Sequence, residues 1–327
     1  MEYRRFGKTG RQVSRIGFGA WALGADWGSV TEADALAALH AAADAGVALI
    51  DTADVYGDGR SEKLIGRFLR ERPGETFFVA TKMGRRVGLD MANYTPDAFK
   101  AWTDRSRDNL GVARLDLVQL HCLHPSIYYS PEHFAALDDL VAAGAIANYG
   151  VSVEKVEEAL KAIEFPGVAT VQIIFNIVRQ RPAERFLAEA MRRDVGVLAR
   201  VPLASGLLTG KMSRATTFDA SDHRNYNRHG ESFDVGETFS GVDYETGLAF
   251  VDELRKLLPG DATMAQAALR WILMFDGVTA AIPGAKSPDQ ARGNAAAADL
   301  APLSPAAMEA IAALYTERIR PLVHQRW

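Results

Sequence analysis

The sequence is poor in cysteine, with the single residue Cys122 in a chain of 327 residues. An internal disulfide needs two thiols, so this composition excludes one and is typical of proteins from a reducing compartment. No apolar run reaches the roughly 18 residues that a membrane-spanning helix needs. The first residues, MEYRRFGKTG, also lack the apolar stretch of a secretory signal. We therefore expect a cytoplasmic protein that does not act in a membrane.

A large excess of charge of one sign is also absent. Lysine and arginine number 37 against 41 aspartate and glutamate residues, for a net charge of −4. A nucleic-acid-binding domain is usually strongly basic, so the composition predicts no nucleic-acid partner. Hydrophobic residues make up 48% of the chain, enough for one large core. Because no linker, low-complexity tract or short repeat divides the chain, we expect a single domain over residues 1–327, of undetermined oligomeric state.

Short apolar runs alternate with helical patterns along the whole chain. The apolar runs have the length of buried strands and cover residues 13–19, 47–52, 77–82, 115–121, 146–151, 170–175, 195–201 and 278–282. The helical patterns between them cover residues 31–45, 61–70, 96–110, 131–143, 153–163, 182–193, 244–258 with 263–275, and 288–298. Eight successive strand–helix units predict a parallel sheet that closes into a (β/α)8 TIM barrel.

Further features refine this α/β barrel. The segment YRRFGKTGRQVSRIG predicts an N-terminal hairpin that turns at residues 7–10 and closes the bottom of the barrel. Residues 304–316 predict one extra C-terminal helix. Thr31 and Ser61 stand at the start of the first two helical patterns, where hydroxyl side chains are favoured as N-caps. We expect both residues to cap their helices.

Polar residues stand at the ends of the predicted strands. TIM-barrel enzymes build their active sites from the C-terminal ends of several strands. In this chain Asp51 ends the second strand, Lys82 the third and His121 the fourth. The later strands also carry polar residues near their ends, namely Ser152, Gln172, Asn176 and Arg200. Because residues two apart on a strand share a face, His121 should point into the barrel.

Tyr56, in the loop after Asp51, can act as an acid if a neighbouring cation stabilises its phenolate. A tyrosine with its usual pKa of about 10 is a poor acid at neutral pH. Lys82 can supply the positive charge, and Asp51 can hold Lys82 in place. His121 can orient a carbonyl oxygen, so the four residues together predict protonation of that oxygen while a hydride reaches its carbon. Since no side chain delivers hydride, this chemistry requires a nicotinamide cofactor.

Each of these residues alone also has a structural interpretation. A lone aspartate often caps a loop, a tyrosine packs, a lysine is solvated, and a histidine is hydrogen-bonded in the core. Their joint occurrence on successive strand ends favours a functional site. Cys122 follows His121 directly and should face the opposite side of the strand, which predicts a packed thiol and no nucleophile. His121 and His124 predict no metal site, because no third or fourth ligand is suggested nearby.

The segment GFGAWA, residues 17–22, matches the glycine pattern of a dinucleotide-binding Rossmann unit. That motif opens a helix, whereas this chain continues as ALGADWGSV, with two glycines and no helical pattern. We therefore interpret the segment as the first barrel strand. Trp21 then lies at the barrel mouth and is a candidate for the lining of a substrate pocket.

Seven segments share their order with one known protein family: DTADVYGDGRSEKLIG, ATKMG, LDLVQLHCLHP, GVS at 150–152, VQIIFN, VPLASGLLTGK and IPGAKSPDQARGN. By these segments, which span almost the whole chain, the sequence resembles the aldo-keto reductases. The resemblance implies NAD(P)H-dependent reduction of a small aldehyde or ketone, reversible in principle. It also implies a catalytic tetrad with Tyr56 as proton donor, made of Asp51, Tyr56, Lys82 and His121.

The resemblance further implies which residues hold the cofactor. Ser152 and Gln172 match residues that bind the nicotinamide carboxamide, and Arg200 stands where an aromatic residue usually stacks on the nicotinamide. The positions that match the pyrophosphate-binding segment are Leu203, Ser205, Gly206 and Leu208. Those that match the adenosine end are Lys286, Ser287, Gln290 and Asn294.

The same comparison predicts NADPH as the preferred cofactor. Lys286 is a cation where the family binds the 2′-phosphate, Ser287 offers a hydroxyl donor, and Arg292 is close in sequence. Gln290 stands where an arginine is often found and adds no charge, so NAD remains the alternative cofactor. Val153 replaces an asparagine that many relatives have beside the carboxamide.

Two aspects of the function stay open: the role of segment 212–243, and whether the protein is an enzyme or a regulatory subunit. The segment is long, polar and without periodicity, which predicts either a mobile surface loop or a lid with contacts from Arg224, Tyr226, Asn227 and Arg228. Some aldo-keto reductases are cofactor-sensing auxiliary subunits of ion channels, and an intact tetrad does not exclude that role. The carbonyl substrate depends on the barrel-mouth loops and is not predicted further.

Overall fold

The computed structural model describes residues 1–24 and 30–327. Its first two strands, β1 (Tyr3–Arg5) and β2 (Gln12–Ser14), pair antiparallel and confirm the predicted hairpin. Residues 25–29, which belong to the segment interpreted as non-helical after the first barrel strand, lie outside the described residues.

The hairpin closes the N-terminal end of the barrel by close contact with a later strand. A Cβ on Gly7 would lie 2.2 Å from the backbone nitrogen of Gly196, so glycine is required for this approach. Phe6 is fully buried, and its ring meets the same Gly196. It belongs to a cluster inside the barrel whose other members are Val13, Leu49, Phe78, Ala80, Leu117, Leu198, Ala280 and Ile282.

Eight parallel strands form the barrel, and each pairs with its neighbour in the sequence. They are β3 (Phe18–Gly19), β4 (Leu49–Asp51), β5 (Phe78–Met83), β6 (Leu117–His121), β7 (Tyr149–Val153), β8 (Val168–Ile174), β9 (Gly196–Arg200) and β10 (Ala280–Ala281). The backbone nitrogen of Gly17 donates to Ala281 O at 2.8 Å, and that of Gly19 to Pro283 O at 3.0 Å. These bonds join the last strand to the first, and the predicted (β/α)8 TIM barrel is confirmed.

The helices follow the strands nearly as predicted. They are α1 (Glu32–Asp44), α2 (Arg60–Glu71), α3 (Pro96–Leu110), α4 (Pro131–Ala142), α5 (Val156–Ala162), α6 (Phe186–Arg192), α7 (His223–Tyr226), α8 (Tyr244–Leu254), α9 (Met264–Leu273), α10 (Pro288–Ala296), α11 (Pro305–Arg318) and α12 (Arg320–Val323). Helix α11 confirms the extra C-terminal helix. Within the described residues, no helix combines the length and the apolar character needed to cross a membrane.

One of the two predicted N-caps is correct. Thr31 caps α1, because its hydroxyl accepts a hydrogen bond from the backbone nitrogen of Asp34 at 3.1 Å. Ser61 does not cap α2, which begins one residue earlier with Gly59 at the N-cap. The Ser61 hydroxyl instead bonds the hydroxyl of Thr52 at 2.8 Å and the carbonyl oxygen of Ala20 at 3.1 Å. The Ser61 side chain therefore joins α2 to the barrel by hydrogen bonds.

Segment 212–243 packs at the barrel mouth and contains α7 and two 3-10 turns. The hydroxyl of Ser205 donates to the carbonyl oxygen of Glu237 at 3.0 Å, and the Asn176 amide donates to the Ser240 hydroxyl at 2.8 Å. Asn227 is fully buried and bonds Thr238 and other residues of the loop itself. The expected ligand contact from Asn227 is therefore wrong, because its amide holds the loop together.

Candidate active site

A cavity of about 720 Å³ lies where the barrel strands end. Asp51, Tyr56 and His121 form one part of its wall, and Lys286 with Asn294 forms another. Lys82 is only 1% exposed and lies behind this wall. The structure thus brings the four residues of the predicted tetrad together, because β4, β5 and β6 are adjacent strands of the barrel.

The ammonium group of Lys82 joins the tetrad. Its Nζ donates to Asp51 Oδ2 at 2.7 Å, to the carbonyl oxygen of Thr52 at 2.8 Å and to the hydroxyl of Tyr56 at 3.2 Å. An ammonium has three hydrogens, and each has an acceptor here. Lys82 is therefore held in one position with its charge beside the Tyr56 hydroxyl.

Burial controls the ionisation of this cluster. It raises the pKa of Tyr56, and the opposing effect of Lys82 does not cancel that rise. Burial lowers the pKa of Lys82, but the charge of Asp51 and the hydrogen bonds to Asp51 and Tyr56 raise it by more, so the net pKa is above its ordinary value. Tyr56 is therefore a phenol and Lys82 an ammonium at neutral pH, which places a proton donor next to a positive charge.

His121 faces the edge of the Tyr56 ring, with ring centroids 5.9 Å apart and planes at 82°. Burial, together with the positive charges of Arg85, Lys82 and Arg200, lowers the pKa of His121 well below its usual range. Its Nδ1 has no hydrogen-bond partner in the described part of the chain. His121 is thus a neutral imidazole at the cavity wall, able to hydrogen-bond a polar ligand.

Trp21 covers Tyr56 at the mouth of the cavity, as predicted from its place after the first strand. The two rings are stacked, with centroids 6.1 Å apart and planes at 18°. Two rings from segment 212–243 pack on Trp21, those of His223 at 4.8 Å and Phe233 at 5.9 Å. The loop thus contributes two rings to an aromatic cluster beside Tyr56.

Most of the predicted cofactor residues line the cavity, and three do not. Those in the wall are Gln172, Arg200, Leu203, Ser205, Gly206, Lys286, Gln290 and Asn294. Ser152 and Leu208 are fully buried behind it. Ser287 caps α10, where its hydroxyl accepts from the backbone nitrogen of Gln290 at 3.3 Å.

Arg200 lies in a charged network that sequence reasoning did not find. Its guanidinium contacts Glu154 at 2.7 Å and Glu237 at 3.7 Å, and Glu237 also accepts from Arg85 at 2.9 Å. Burial opposes the ionisation of Glu237, but Arg85 and Arg200 hold its pKa well below the ordinary range. Glu237 comes from the long loop, and no local pattern in the sequence indicates such a partner.

The prediction that Cys122 faces the helices is wrong. Strand β6 ends at His121, and Cys122 adopts a left-handed conformation with φ of 50°. Its thiol consequently lies 3.6 Å from both Ser152 Oγ and Arg200 Nη2. Burial raises the pKa of the Cys122 thiol, so little of it is ionised to thiolate. The thiol is therefore packed and a poor nucleophile, as predicted.

The ligand atoms of Cys122, Glu154 and Glu237 lie within 4.8 Å of one another. Such a group can hold a metal ion, but here Arg200 bonds one carboxylate at 2.7 Å and lies 3.7 Å from the other. The guanidinium supplies the positive charge that a cation would bring. The arrangement therefore fits an arginine-centred ion-pair network.

Two cations lie in the cavity wall, Lys286 and Arg224. Burial together with Arg224 lowers the pKa of Lys286. Arg224 also pairs with Asp222 at 2.6 Å. Arg292, expected to help bind a phosphate, pairs with Asp289 at 2.6 Å and lies outside the cavity wall.

Comparison with known proteins gives the family. The chain matches the model of the aldo/keto reductase family over residues 15–316. It belongs to this family. The chain is 32% identical over 298 residues to the aldo-keto reductase YhdN of Bacillus subtilis, covering 89% of this chain and 86% of that protein.

Solved aldo/keto reductases share the fold over nearly the full length. The glycerol dehydrogenase of Gluconobacter oxydans superimposes with a TM-score of 0.79 at 30% identity, covering 97% of this chain and 96% of that one. An aldo/keto reductase of Klebsiella pneumoniae, solved with NADP and acetate, gives a TM-score of 0.71 at 24% identity, covering 96% and 95%. The barrel described above is therefore the aldo/keto reductase barrel.

Beside the tetrad of this aldo/keto reductase, Asp54 is a fully buried acid. Neither of its carboxyl oxygens has a side-chain hydrogen-bond partner among residues 1–24 and 30–327. Burial, reinforced by the negative charge of Glu62, raises the pKa of Asp54 to about 7. The folded protein thus binds this proton more tightly than the unfolded chain, and stability is lost as the pH rises from about 4 to about 7.

Asp54→Asn is expected to remove this loss of stability at higher pH. Relative to wild type, the free energy of unfolding of the variant should rise by about 2–3 kcal/mol between roughly pH 5 and pH 8, because the variant has no proton to release. Urea unfolding at both pH values measures the change. Asp252→Asn, at an exposed position of α8, is the control and should show no such trend. A difference between Asp54→Asn and wild type that is constant with pH would contradict the assignment.

Proposed function

We propose that this chain is an NAD(P)H-dependent reductase of an aldehyde or ketone, with Tyr56 as the general acid. The observation that carries the proposal is the position of Lys82 Nζ, 2.7 Å from Asp51 and 3.2 Å from the Tyr56 hydroxyl. This arrangement lies at the wall of the cavity together with the neutral His121. Membership of the aldo/keto reductase family supports the same class of reaction.

The residues of the cavity fit a nicotinamide dinucleotide. A volume of about 720 Å³ is that of a small-molecule site. Gln172 and Arg200 would hold the nicotinamide, and Ser205 with Gly206 the pyrophosphate. Lys286, near Arg224, offers positive charge for the phosphate of the adenosine half. The bound cofactor supplies the hydride that no side chain can deliver.

The tetrad supplies and controls the proton. Tyr56 gives its hydroxyl proton to the carbonyl oxygen of the substrate as the carbon is reduced. The ammonium of Lys82, 3.2 Å away, stabilises the phenolate that remains, and Asp51 holds Lys82 in place. His121 is neutral and therefore can donate one N–H to the same carbonyl oxygen without competing for the proton.

Turnover of NADPH with a panel of small aldehydes, ketones and sugars tests the proposal. The decrease in NADPH absorbance should depend on both the protein and the carbonyl compound. Tight NADPH binding without turnover of any carbonyl compound would contradict the enzyme and favour a cofactor-sensing subunit. The same panel shows whether the substrate is an aldehyde or a ketone.

NADPH is expected to be preferred over NADH, with Lys286 as the main cause. The two cofactors differ by the 2′-phosphate, and a charge-assisted hydrogen bond to it contributes roughly 1.5–3 kcal/mol, or about ten-fold or more in affinity. Lys286→Ala should lower kcat/KM for NADPH by about that factor and leave kcat/KM for NADH nearly unchanged.

Lys256→Ala, an exposed lysine away from the cavity, provides the matched control for Lys286→Ala. It should leave the ratio of the two kcat/KM values at its wild-type level. Equal weakening of NADPH and NADH by Lys286→Ala, or no effect on either, would show that Lys286 does not bind the phosphate.

A further inference from the structure

A chain of buried amide and hydroxyl groups runs inside the barrel behind the tetrad. Gln172 Nε2 donates to Asp51 Oδ1 at 2.7 Å and to Gln119 Oε1 at 2.9 Å. Gln119 Nε2 donates in turn to Thr170 Oγ1 at 3.1 Å. Gln119 and Thr170 are both fully buried, and neither lines the cavity. Gln119 therefore touches a candidate cofactor residue without reaching the cavity itself.

A glycine on the strand between them allows this contact. Gln119 on β6 pairs with Gly150 on β7, and Gly150 pairs with Thr170 on β8. A Cβ on Gly150 would lie 2.1 Å from Thr170 Oγ1. Because this position has no side chain, Gln119 and Thr170 meet across the middle strand, inside the barrel.

Asp51 accepts from the ammonium of Lys82 at 2.7 Å, and this ion pair sets the direction of the bonds in the chain. A carboxylate only accepts hydrogen bonds, so Gln172 must present its amino group to Asp51. The second hydrogen of that amino group goes to Gln119 Oε1, which leaves the amino group of Gln119 for Thr170. The amide oxygen of Gln172 takes no part in this chain, and Gln172 lines the cavity. That oxygen is thus the part of Gln172 that is left for a ligand.

We propose that Gln119 is a positioning residue that fixes the Gln172 amide so that its oxygen accepts from the carboxamide N–H of the nicotinamide cofactor. The inference rests on the proposed function, because it takes Gln172 to meet the carboxamide. Two acceptors, Asp51 and Gln119, hold one amino group, and a half-turn of the Gln172 amide would lose both bonds. Without Gln119 only Asp51 would hold it.

Two substitutions test the positioning bond while keeping side-chain volume. Gln119→Met removes both hydrogen-bonding atoms of Gln119, and Thr170→Val removes the acceptor that orients the Gln119 amide. Leu117→Met is the matched control, because Leu117 lies on the same strand two residues earlier, is fully buried and shares the barrel-facing side. Thermal unfolding reports whether each variant folds, and Thr170→Val decides alone if Gln119→Met does not.

The readout is the affinity ratio between two oxidised cofactors, measured by titration calorimetry without turnover. One is NADP, and the other is its 3-acetylpyridine analogue, in which a methyl group replaces the carboxamide NH2. Wild type and Leu117→Met are expected to bind NADP tighter by a ratio on the order of 10, the effect of one buried hydrogen bond. The ratio should fall toward 1 in Gln119→Met, and by a smaller step in Thr170→Val.

Three results overturn the inference. A ratio near 1 in wild type shows that the Gln172 oxygen does not receive the carboxamide N–H. A wild-type ratio retained in both variants shows that Gln119 does not position Gln172; if wild type also reduces aldehydes, the proposed function stands and only the positioning role fails. A wild-type protein that neither binds NADP nor turns over a carbonyl compound contradicts the proposed function, and the inference with it.

Discussion

Tyr56→Phe is expected to lower kcat for carbonyl reduction by about 10²–10⁴-fold, the usual contribution of general acid catalysis. The substitution removes only the hydroxyl group, which lies 3.2 Å from Lys82 Nζ. It keeps the ring that stacks on Trp21 and meets His121 edge-on. Cofactor affinity should therefore remain within a few-fold of wild type, and steady-state kinetics with calorimetric binding of NADPH separates the two effects.

Tyr94→Phe provides the matched control for the loss of a buried tyrosine hydroxyl. Tyr94 is 2% exposed and lies outside the cavity wall. This variant should keep kcat near wild type. If Tyr56→Phe also keeps kcat within a few-fold, another group donates the proton and the assignment of Tyr56 is wrong.

Lys82→Met is expected to reduce kcat at least as strongly and to move the pH profile upward. Reduction needs the protonated phenol, so the rate is high below the pKa of Tyr56 and falls as the pH rises through it. Burial raises that pKa, and Lys82 lowers it. Removing the ammonium removes the lowering effect, so the decline in the residual rate should occur at higher pH than in wild type. The pH dependence of kcat measures the shift.

Folding must be checked for Lys82→Met, because the substitution leaves the buried carboxylate of Asp51 without its cation. Breaking a buried ion pair in this way costs about 3–5 kcal/mol of stability. Lys82→Met combined with Asp51→Asn removes both charges and should fold better with the same low kcat. Lys63→Met, at an exposed position of α2, should leave the profile unchanged. A profile that moves to lower pH would contradict the role of Lys82.

The barrel and the tetrad could be predicted because both depend on short-range patterns. Asp51, Lys82 and His121 each end an apolar run, and parallel strands of a barrel all end at one rim. Alternation along β6 correctly placed His121 on the barrel-facing side. The segment around Tyr56 is close to Asp51 in sequence, so its position follows from the same strand end.

Predictions failed where a contact joined distant segments or where the chain left regular geometry. Alternation gave the wrong side for Cys122, because β6 stops at His121 and the next residue is left-handed. Arg292 was expected near a phosphate by closeness in sequence, but α10 turns it to Asp289. The ion pairs of Glu237 could not be predicted from the sequence. Its partners Arg85 and Arg200 lie near the ends of two barrel strands that are far from Glu237 in the chain.

The sequence by itself determined the eight-unit barrel, the rim that carries the candidate site, and the residue types of a tyrosine beside a lysine and an aspartate. Hydrophobic periodicity and strand alternation act over a few residues, so they are visible without coordinates. Only the tertiary structure decided that Lys82 bonds Asp51 and Tyr56 at once, that Gly150 lets Gln119 reach Thr170, and that a loop carboxylate pairs with Arg200. These contacts depend on how separate strands and loops pack in space, and no local pattern encodes that packing.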